Sequence, residues 1–93
     1  MFVVMAFVNP VPGKEDEMVN RMRSFRNVLQ TRSGLVKTFV LKERDGKTLV
    51  GVSMWTDEAA YQNAMASMQA PAQSTPPGRL RESPPTMREF FEI

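Results

Sequence analysis

Three observations in this 93-residue sequence predict an α+β fold with the element order β-α-β-β-α-β. Two stretches, 14–30 and 56–69, carry apolar residues at helical spacing. The other apolar runs are short and rich in β-branched and aromatic residues, as strands are. An Asp-Gly pair at 45–46 separates two of these runs and is a strong hairpin signal. This order is the split βαβ, or ferredoxin-like, arrangement, in which a four-stranded antiparallel sheet carries both helices on one face.

The first strand and the first helix follow from the spacing of apolar residues. Residues 2–8 are an unbroken apolar run that ends at Asn9-Pro10, which suits a strand buried on both faces. Residues 14–30 form a helix with an acidic first turn, as the helix dipole favours. Its apolar face is predicted to consist of Met18, Met22, Phe25 and Leu29. Gly34 is expected to end this helix as a left-handed cap.

The middle of the chain is expected to form a hairpin and the second helix. Residues 35–43 and 48–55 are the hairpin strands, and the Arg-Asp-Gly-Lys turn at 44–47 joins them. Thr56 offers an N-cap oxygen for the second helix, which is predicted to reach Gln69.

The rest of the chain is predicted to be an irregular connector at 70–85, which holds five of the seven prolines, and a last strand at 86–93. A chain of 93 residues corresponds to one domain, so a single domain is expected over 1–93. A domain this short buries only about 60–65% of its unfolded surface. Pairing with a second copy would therefore add to its stability.

The two faces of the first strand predict which surfaces of the two copies meet. It is apolar on both faces, with Phe2, Val4, Ala6 and Val8 on one face and Val3, Met5 and Phe7 on the other. Two helices on one side of a sheet cover only one of these faces. The other face would expose an apolar patch on the order of several hundred Å². We therefore predict a homodimer through the sheet faces, that is, a dimeric α/β barrel.

The composition excludes several kinds of active site. Without cysteine the chain has no disulfide and no thiol nucleophile, which suits a cytoplasmic protein. Without histidine it lacks the commonest general base and the commonest metal and haem ligand, so no metal, haem or other cofactor is expected. The net charge of +2 comes from mixed rather than clustered charges, so no nucleic-acid partner is expected. The apolar run at 2–8 is too short to span a membrane.

The stretch "MFVVMAF", followed by "PVPGKEDEMVNRM" and "SGLVKTFVLKERDGKTLVGVSMWTDEAAYQNAM", resembles the antibiotic biosynthesis monooxygenase domain family. The most specific part is a strand that ends in Trp and runs into a helix with an Ala-Tyr pair, here from Met54 to Tyr61. The resemblance implies a dimeric α/β barrel that acts either as a cofactor-independent oxygenase of polyphenols and quinols or as a haem-degrading enzyme. Haem-degrading members have an Asn on the first strand, a Trp at the end of the third and a His on the second helix. Here Trp55 matches, Ala6 stands at the Asn position, and no histidine exists.

The third strand is expected to carry the binding site. Its residues alternate between two faces, with Leu49, Gly51, Ser53 and Trp55 on one and Val50, Val52 and Met54 on the other. The second set is uniformly apolar, so we expect it to face the helices and the first set to face the partner sheet. Because Gly51 and Ser53 are small and Trp55 is large, the first set is expected to leave an apolar cavity with an aromatic wall.

A flat aromatic or quinone-like molecule is the ligand expected in this cavity. The expected ligand-binding residues are Val4, Ala6, Gly51, Ser53 and Trp55. In the alternative interpretation, Phe90 or Phe91 fills the space and Trp55 belongs to an ordinary interface core.

Polar groups that could carry out catalysis are few. No catalytic residue is identified; the candidates are Asn9, Ser53, Trp55 and Tyr61. Glu89 is a candidate base if it faces the interior of the barrel, and a solvent-exposed edge position explains it as well. The hypothesis is cofactor-independent oxygenation, and the alternative is a non-catalytic small-molecule-binding or stress-associated dimer of the same fold.

Overall fold

A computed structural model describes residues 1–68 and 80–93, and it confirms the predicted order of elements. The elements are β1 (Phe2–Val8), α1 (Glu15–Leu29), β2 (Leu35–Lys42), β3 (Leu49–Trp55), α2 (Glu58–Ser67) and β4 (Thr86–Phe91). Most of the connector predicted at 70–85, and the predicted last residue of the second helix, Gln69, lie outside the described residues. No helix in the described part of the chain is long and apolar enough to cross a membrane.

The four strands form one antiparallel sheet in the order β2-β3-β1-β4, which is the ferredoxin-like arrangement. The central strands β1 and β3 pair along their whole length. Phe2 lies opposite Trp55, Ala6 opposite Gly51, and Val8 opposite Leu49. Directly opposed residues share a face of the sheet, so this register decides which side chains meet.

Helix α1 has the predicted acidic first turn. Of its own side chains, Met18 and Leu29 are buried. Phe25, however, is 48% exposed, so its assignment to the buried face is wrong. The half-buried positions of α1 include Val19 and Arg26. The buried stripe is therefore rotated away from Phe25, which lies at its margin.

The two helices meet the sheet through short connections. Gly34 has the predicted left-handed conformation, with φ +87°, but it does not cap α1: the helix ends at Leu29 and Gln30 is its C-cap, so that part of the prediction is wrong. A Cβ atom on Gly34 would lie 2.5 Å from the Cβ of Ala60, so the glycine also allows α2 to approach closely. The predicted N-cap at Thr56 is wrong. Asp57 caps α2 instead, its Oδ1 accepting from the Ala60 N–H at 2.8 Å. The Thr56 N–H donates to the Gly34 carbonyl.

The helices cover the opposite face of the sheet from the one predicted. Below them lie two separate groups of buried side chains. The first core cluster consists of Phe2, Val4, Leu29, Trp55 and Ala64. The second core cluster consists of Val8, Met18, Leu49 and Leu80. The face of β3 that was expected to meet the partner sheet therefore faces the helices, and we call it the helix-facing side. Val50, Val52 and Met54 lie on the other face of the sheet, which the helices do not cover and which we call the uncovered side.

The physical reason is the size of the side chains. Both sets on β3 are apolar enough to be buried, so alternation alone does not choose between them. The largest fully buried side chains are Trp55, Phe2 and Leu49, all from one face. Placing them beneath the helices removes the most apolar surface from water within a single chain.

Two glycine substitutions test this account of Gly34. Gly34→Ala is expected to lower the free energy of unfolding by more than the roughly 1–2 kcal/mol that left-handed backbone alone costs a non-glycine residue, because the new Cβ also collides with α2. Gly13→Ala is the matched control: Gly13 has φ +83° and nothing lies within 4 Å of an added Cβ. Urea denaturation of both variants measures the difference, and equal losses would contradict the close approach.

Candidate functional site

Trp55 ends β3 beneath the helices and is 0% exposed. Its indole Nε1–H donates a hydrogen bond of 2.9 Å to the Oγ of Ser53, which is itself buried. The two residues are two positions apart on a strand, so both side chains point to the same side. The hydrogen bond satisfies a donor that would otherwise be costly to bury. The indole is thus enclosed by the side chains of the first core cluster, within a single chain.

Tyr61 joins Trp55 from above, because α2 presents it toward the sheet. Its ring centroid lies 5.8 Å from that of Trp55 in an edge-on arrangement and 5.5 Å from that of Phe2. Phe2 in turn lies 5.1 Å from Phe91 on β4. These spacings are typical of favourable aromatic pairs. The helix, the two central strands and the edge strand therefore share one aromatic group, and Tyr61 brings a hydroxyl to it.

Burial raises the pKa of the Tyr61 phenol above its ordinary value, and the negative charge of Glu89 raises this pKa further. Glu89 lies opposite Val4 in the pairing of β1 with β4, so it belongs to the helix-facing side. Of the two positions left open for Glu89, the structure shows the solvent-exposed one at the sheet edge and not one in an interior between two sheets. At neutral pH the Tyr61 hydroxyl keeps its proton and is available as a hydrogen-bond donor.

Between the two core clusters the helix-facing side holds two small, half-buried residues, Ala6 and Gly51. The residues before and after them on the same face are buried; they are Val4, Val8, Leu49 and Ser53. We call the space above this opposed pair the Ala6–Gly51 gap. Met22 of α1 fills it: its Cε would lie 3.5 Å from a Cβ on Gly51, and its side chain packs against the second core cluster. The Ser53 hydroxyl borders the gap at the next position along β3.

Asn9 is not part of this arrangement. It follows Val8, at the end of β1 remote from Trp55, about 20 Å along the strand. There its Oδ1 accepts a hydrogen bond of 2.9 Å from the Thr48 Oγ1.

An open cleft of about 600 Å³ lies at that end of the sheet, between the loop after β1 and the β2–β3 hairpin. Charged side chains of Glu15, Asp45, Lys47 and Glu82 line it. The described residues provide no group of three or more Asp or Glu side chains able to hold a metal ion, here or elsewhere. The cleft is thus remote from the tryptophan and polar in character.

The structure therefore brings together most of the residues singled out from the sequence. The five that it gathers on the helix-facing side are Val4, Ala6, Gly51, Ser53 and Trp55. Tyr61 adds a hydroxyl from α2, while Asn9 lies elsewhere. The sequence analysis missed Met22 as a member of this site and assigned it only to the face of α1. Its four-residue spacing from Met18 showed that it faces the sheet, but not which sheet residue it covers.

Comparison with known proteins adds a family and a fold. Residues 1–90 match the family described as antibiotic biosynthesis monooxygenase. No curated protein matches the sequence. A protein from Pseudomonas aeruginosa has a similar structure, with a TM-score of 0.82 and 14% identity over 99% of this chain and 93% of that one.

Two further solved structures are similar. One is described as an antibiotic biosynthesis monooxygenase, with a TM-score of 0.77 and 13% identity over 100% of this chain and 99% of that one. The other is a variant of MhuD with two manganese protoporphyrin IX molecules bound per active site, with a TM-score of 0.80 and 14% identity over 100% of this chain and 95% of that one. At these identities the structural likenesses show the fold.

The ionisation of Tyr61 tests the placement of Glu89. Tyr61 is the one tyrosine of the chain, so ultraviolet absorbance follows its titration directly. We expect a midpoint above that of a free tyrosine, and Glu89→Gln should lower the pKa toward the ordinary value. Glu92→Gln is the control, because Glu92 lies beside the Met1 ammonium group on the uncovered side. An equal decrease in both variants would contradict the assignment of Glu89 to the helix-facing side.

The same shift predicts how stability depends on pH. The folded state holds the phenol proton more tightly than the unfolded state. The contribution of Tyr61 to the free energy of unfolding is therefore complete below the ordinary tyrosine pKa, and it is lost as the pH rises through the raised pKa of the folded state. In Tyr61→Phe this alkaline loss should be absent from urea denaturation curves.

Proposed function

The chain belongs to the antibiotic biosynthesis monooxygenase family, and from this we propose that it is a cofactor-independent oxygenase of small, flat phenols, hydroquinones or anthrones. The proposed binding place is the Ala6–Gly51 gap, between the sheet and α1. Its ligand-binding residues are Val4, Ala6, Gly51, Ser53 and Trp55, as the sequence suggests.

One observation carries the proposal: the helix-facing side of the sheet is buried at both ends and half-buried in the middle. A lone chain of this size gains stability from every apolar contact, and an alanine and a glycine at the centre of its core forgo such contacts. Small side chains at this place leave the space above the sheet to Met22 and, in this proposal, to a ligand. The Ser53 hydroxyl and the ring of Tyr61 both lie next to the indole of Trp55.

The reaction that suits this place is direct attack of a substrate carbanion on O₂. A base takes a proton from the acidic carbon of an anthrone, and the electron pair stays on the ring system. The carbanion reduces O₂, a C–O bond forms, and protonation gives a hydroperoxide. Loss of water from the hydroperoxide leaves a carbonyl group. One oxygen atom of O₂ thus ends in the product and the other in water, with no external reductant.

The residues of this chain are assigned roles that fit their surroundings. Tyr61, kept protonated by its raised pKa, donates a hydrogen bond to the developing oxyanion. Glu89 is the carboxylate on the same side of the sheet and takes the proton. Trp55 holds the neighbouring side chains in place, because its buried indole is fixed by the Ser53 hydroxyl.

Haem is a poor fit to these residues. Histidine, the usual axial ligand, is absent from the chain. The space beside the indole is occupied by the rings of Tyr61 and Phe2. We therefore derive no step through a haem group.

A non-catalytic binding protein of the same fold is the second candidate. The observation that favours it is the Ser53 hydroxyl, whose oxygen already accepts from Trp55 and so is partly committed to structure. The carboxylate assigned as the base is solvent-exposed, whereas catalytic carboxylates are commonly made more basic by burial. Such a protein would bind the same flat molecules and leave them unchanged.

We also propose that two chains pair through the uncovered side of the sheet. There Met5 lies opposite Val52, and Val52 lies opposite Phe39, so apolar side chains run across three strands. Leu41 and Phe90 on the outer strands are 49% and 42% exposed. A face of this kind is typical of an interaction site. Its occupant in this proposal is a second copy, because the face also carries both charge signs and can complement itself about a two-fold axis.

The charged residues lie at the margins of that face. Lys37 covers the ring of Phe39 at 5.0 Å, and Arg88 lies opposite Met5 on β4. Glu43 and Glu92 are the first residues after β2 and β4. The alternation of side chains along each strand places both on the uncovered side.

Oxygen consumption tests the proposed activity. Hydroquinones and anthrones are offered to the wild type and to two variants, and O₂ uptake is measured with an electrode. Glu89→Gln is expected to lower kcat by about a hundredfold or more, and Tyr61→Phe by a similar factor. Glu92→Gln is the matched control and should keep full activity.

The outcomes separate the two candidates. Binding by calorimetry without O₂ uptake for the whole panel would identify the non-catalytic protein. Neither binding nor uptake would contradict both.

The pairing is tested by light scattering at micromolar concentration. The wild type should have the mass of two chains, and Met5→Glu should have the mass of one. The new carboxylate lies opposite Arg88, so a single chain accommodates it, whereas burial against a second sheet is costly. Phe25→Glu, at a residue that is 48% exposed on α1 on the other side of the sheet, should leave the pair intact. A wild type with the mass of one chain would refute the homodimer.

A further inference from the structure

We propose that Met87 is an oxidation site for hydroperoxides of small aromatic molecules, at which its thioether takes up an oxygen atom and becomes a sulfoxide. This inference rests on the proposed function, because oxygenation of an anthrone passes through such a hydroperoxide. It adds a modified residue and the class of oxidant that modifies it. Met87 itself has no part in the proposed oxygenation.

Exposure distinguishes Met87 from most methionines of the chain. All eight lie in the described residues. Met18 is buried. Five others are half-buried, namely Met5, Met22, Met54, Met65 and Met68. Only Met87 and Met1 are exposed, at 49% and 41%. Because an oxidant must reach the sulfur atom to oxidise it, these two are the reactive positions.

The two exposed methionines lie on opposite faces of the sheet. Met87 lies two residues before Glu89 on β4 and opposite Ala6 on β1, so it shares the helix-facing side with them. Met1 directly precedes Phe2, whose side chain is on the helix-facing side. Alternation therefore places Met1 on the uncovered side. Met1 is thus a control for Met87 that is similarly exposed and separated from it by the sheet.

Met87 is also within reach of a molecule held at Glu89, the carboxylate assigned as the base. Residues two apart on a strand are about 6.6 Å apart. An unbranched side chain with three rotatable bonds can bring its sulfur across much of that distance. A hydroperoxide group on the carbon from which Glu89 has taken the proton is therefore close to this thioether. On the other side of Glu89 lies Phe91, 66% exposed, whose ring packs on Phe2 at 5.1 Å and can take an aromatic neighbour.

The chemical step needs no further reactant. A lone pair of the sulfur attacks the terminal oxygen of the hydroperoxide, so that the S–O bond forms while the O–O bond breaks. The proton of the terminal oxygen moves to the departing oxygen, which leaves as an alcohol. The sulfur undergoes a two-electron oxidation to the sulfoxide, and the hydroperoxide is reduced by the same electron pair.

Peptide mass mapping after brief treatment with two hydroperoxides tests the inference. Cumene hydroperoxide carries an aromatic ring, and tert-butyl hydroperoxide is its aliphatic control. Cleavage after Lys and Arg leaves Met87 as the one methionine of peptide 82–88 and Met18 as that of peptide 15–21. The ratio of sulfoxide at Met87 to sulfoxide at Met1 should be at least about fivefold higher with cumene hydroperoxide. The buried Met18 should react at least about tenfold more slowly than Met87 with both reagents.

The results distinguish this inference from the activity on which it rests. A ratio of Met87 to Met1 oxidation that is the same for both reagents would overturn the oxidation site. If the ratio is the same and the protein consumes O₂ with the panel of hydroquinones and anthrones, the oxygenase stands without it. If the ratio rises as described and no O₂ is consumed, the oxidation site stands and the oxygenase is refuted.

Discussion

The pairing of β1 with β3 is the constraint on which the rest of this protein depends. It places Phe2 opposite Trp55 at one end, Val8 opposite Leu49 at the other, and Ala6 opposite Gly51 between them. Large side chains therefore meet at both ends of the central strands, and small ones meet in the middle. A register shift of one residue would move every one of these side chains to the other face. The two core clusters, the gap between them and the aromatic group around Tyr61 all follow from this single alignment.

Much of the fold could be predicted because its signals are local. Seven apolar residues in a row, a helical repeat of four and three, and an Asp-Gly turn each indicate an element without reference to the rest of the chain. Errors arose where neighbouring signals competed. Thr56 and Asp57 both offer a capping oxygen, and the structure uses that of Asp57. The exposure of Phe25 depends on how α1 is rotated against the sheet, which its own periodicity does not determine.

The candidate site shows a different limit. Alternation along β3 grouped Gly51, Ser53 and Trp55 as neighbours, and the structure confirms that grouping. Alternation did not say which group faces the helices, because Val50, Val52 and Met54 are apolar as well. That choice depends on the total volume buried beneath two helices, a property of the whole domain. The residues of the candidate site were therefore grouped correctly on one face from the sequence, while that face was assigned to the wrong side of the sheet.

The division of the core into two clusters has a consequence for how this domain combines stability with binding. The first cluster fixes the indole, two rings and the start of α2, and the second fixes the end of β1 to the start of α1. Both ends of the sheet are thus held by side chains that are buried and densely packed, which makes them resistant to rearrangement. Met22 lies between the two ends, over an alanine and a glycine, and packs against the second cluster. A ligand at the proposed place would have to replace the contacts of this one flexible side chain. A ligand at either end would first have to break aromatic or aliphatic packing on which the fold itself depends.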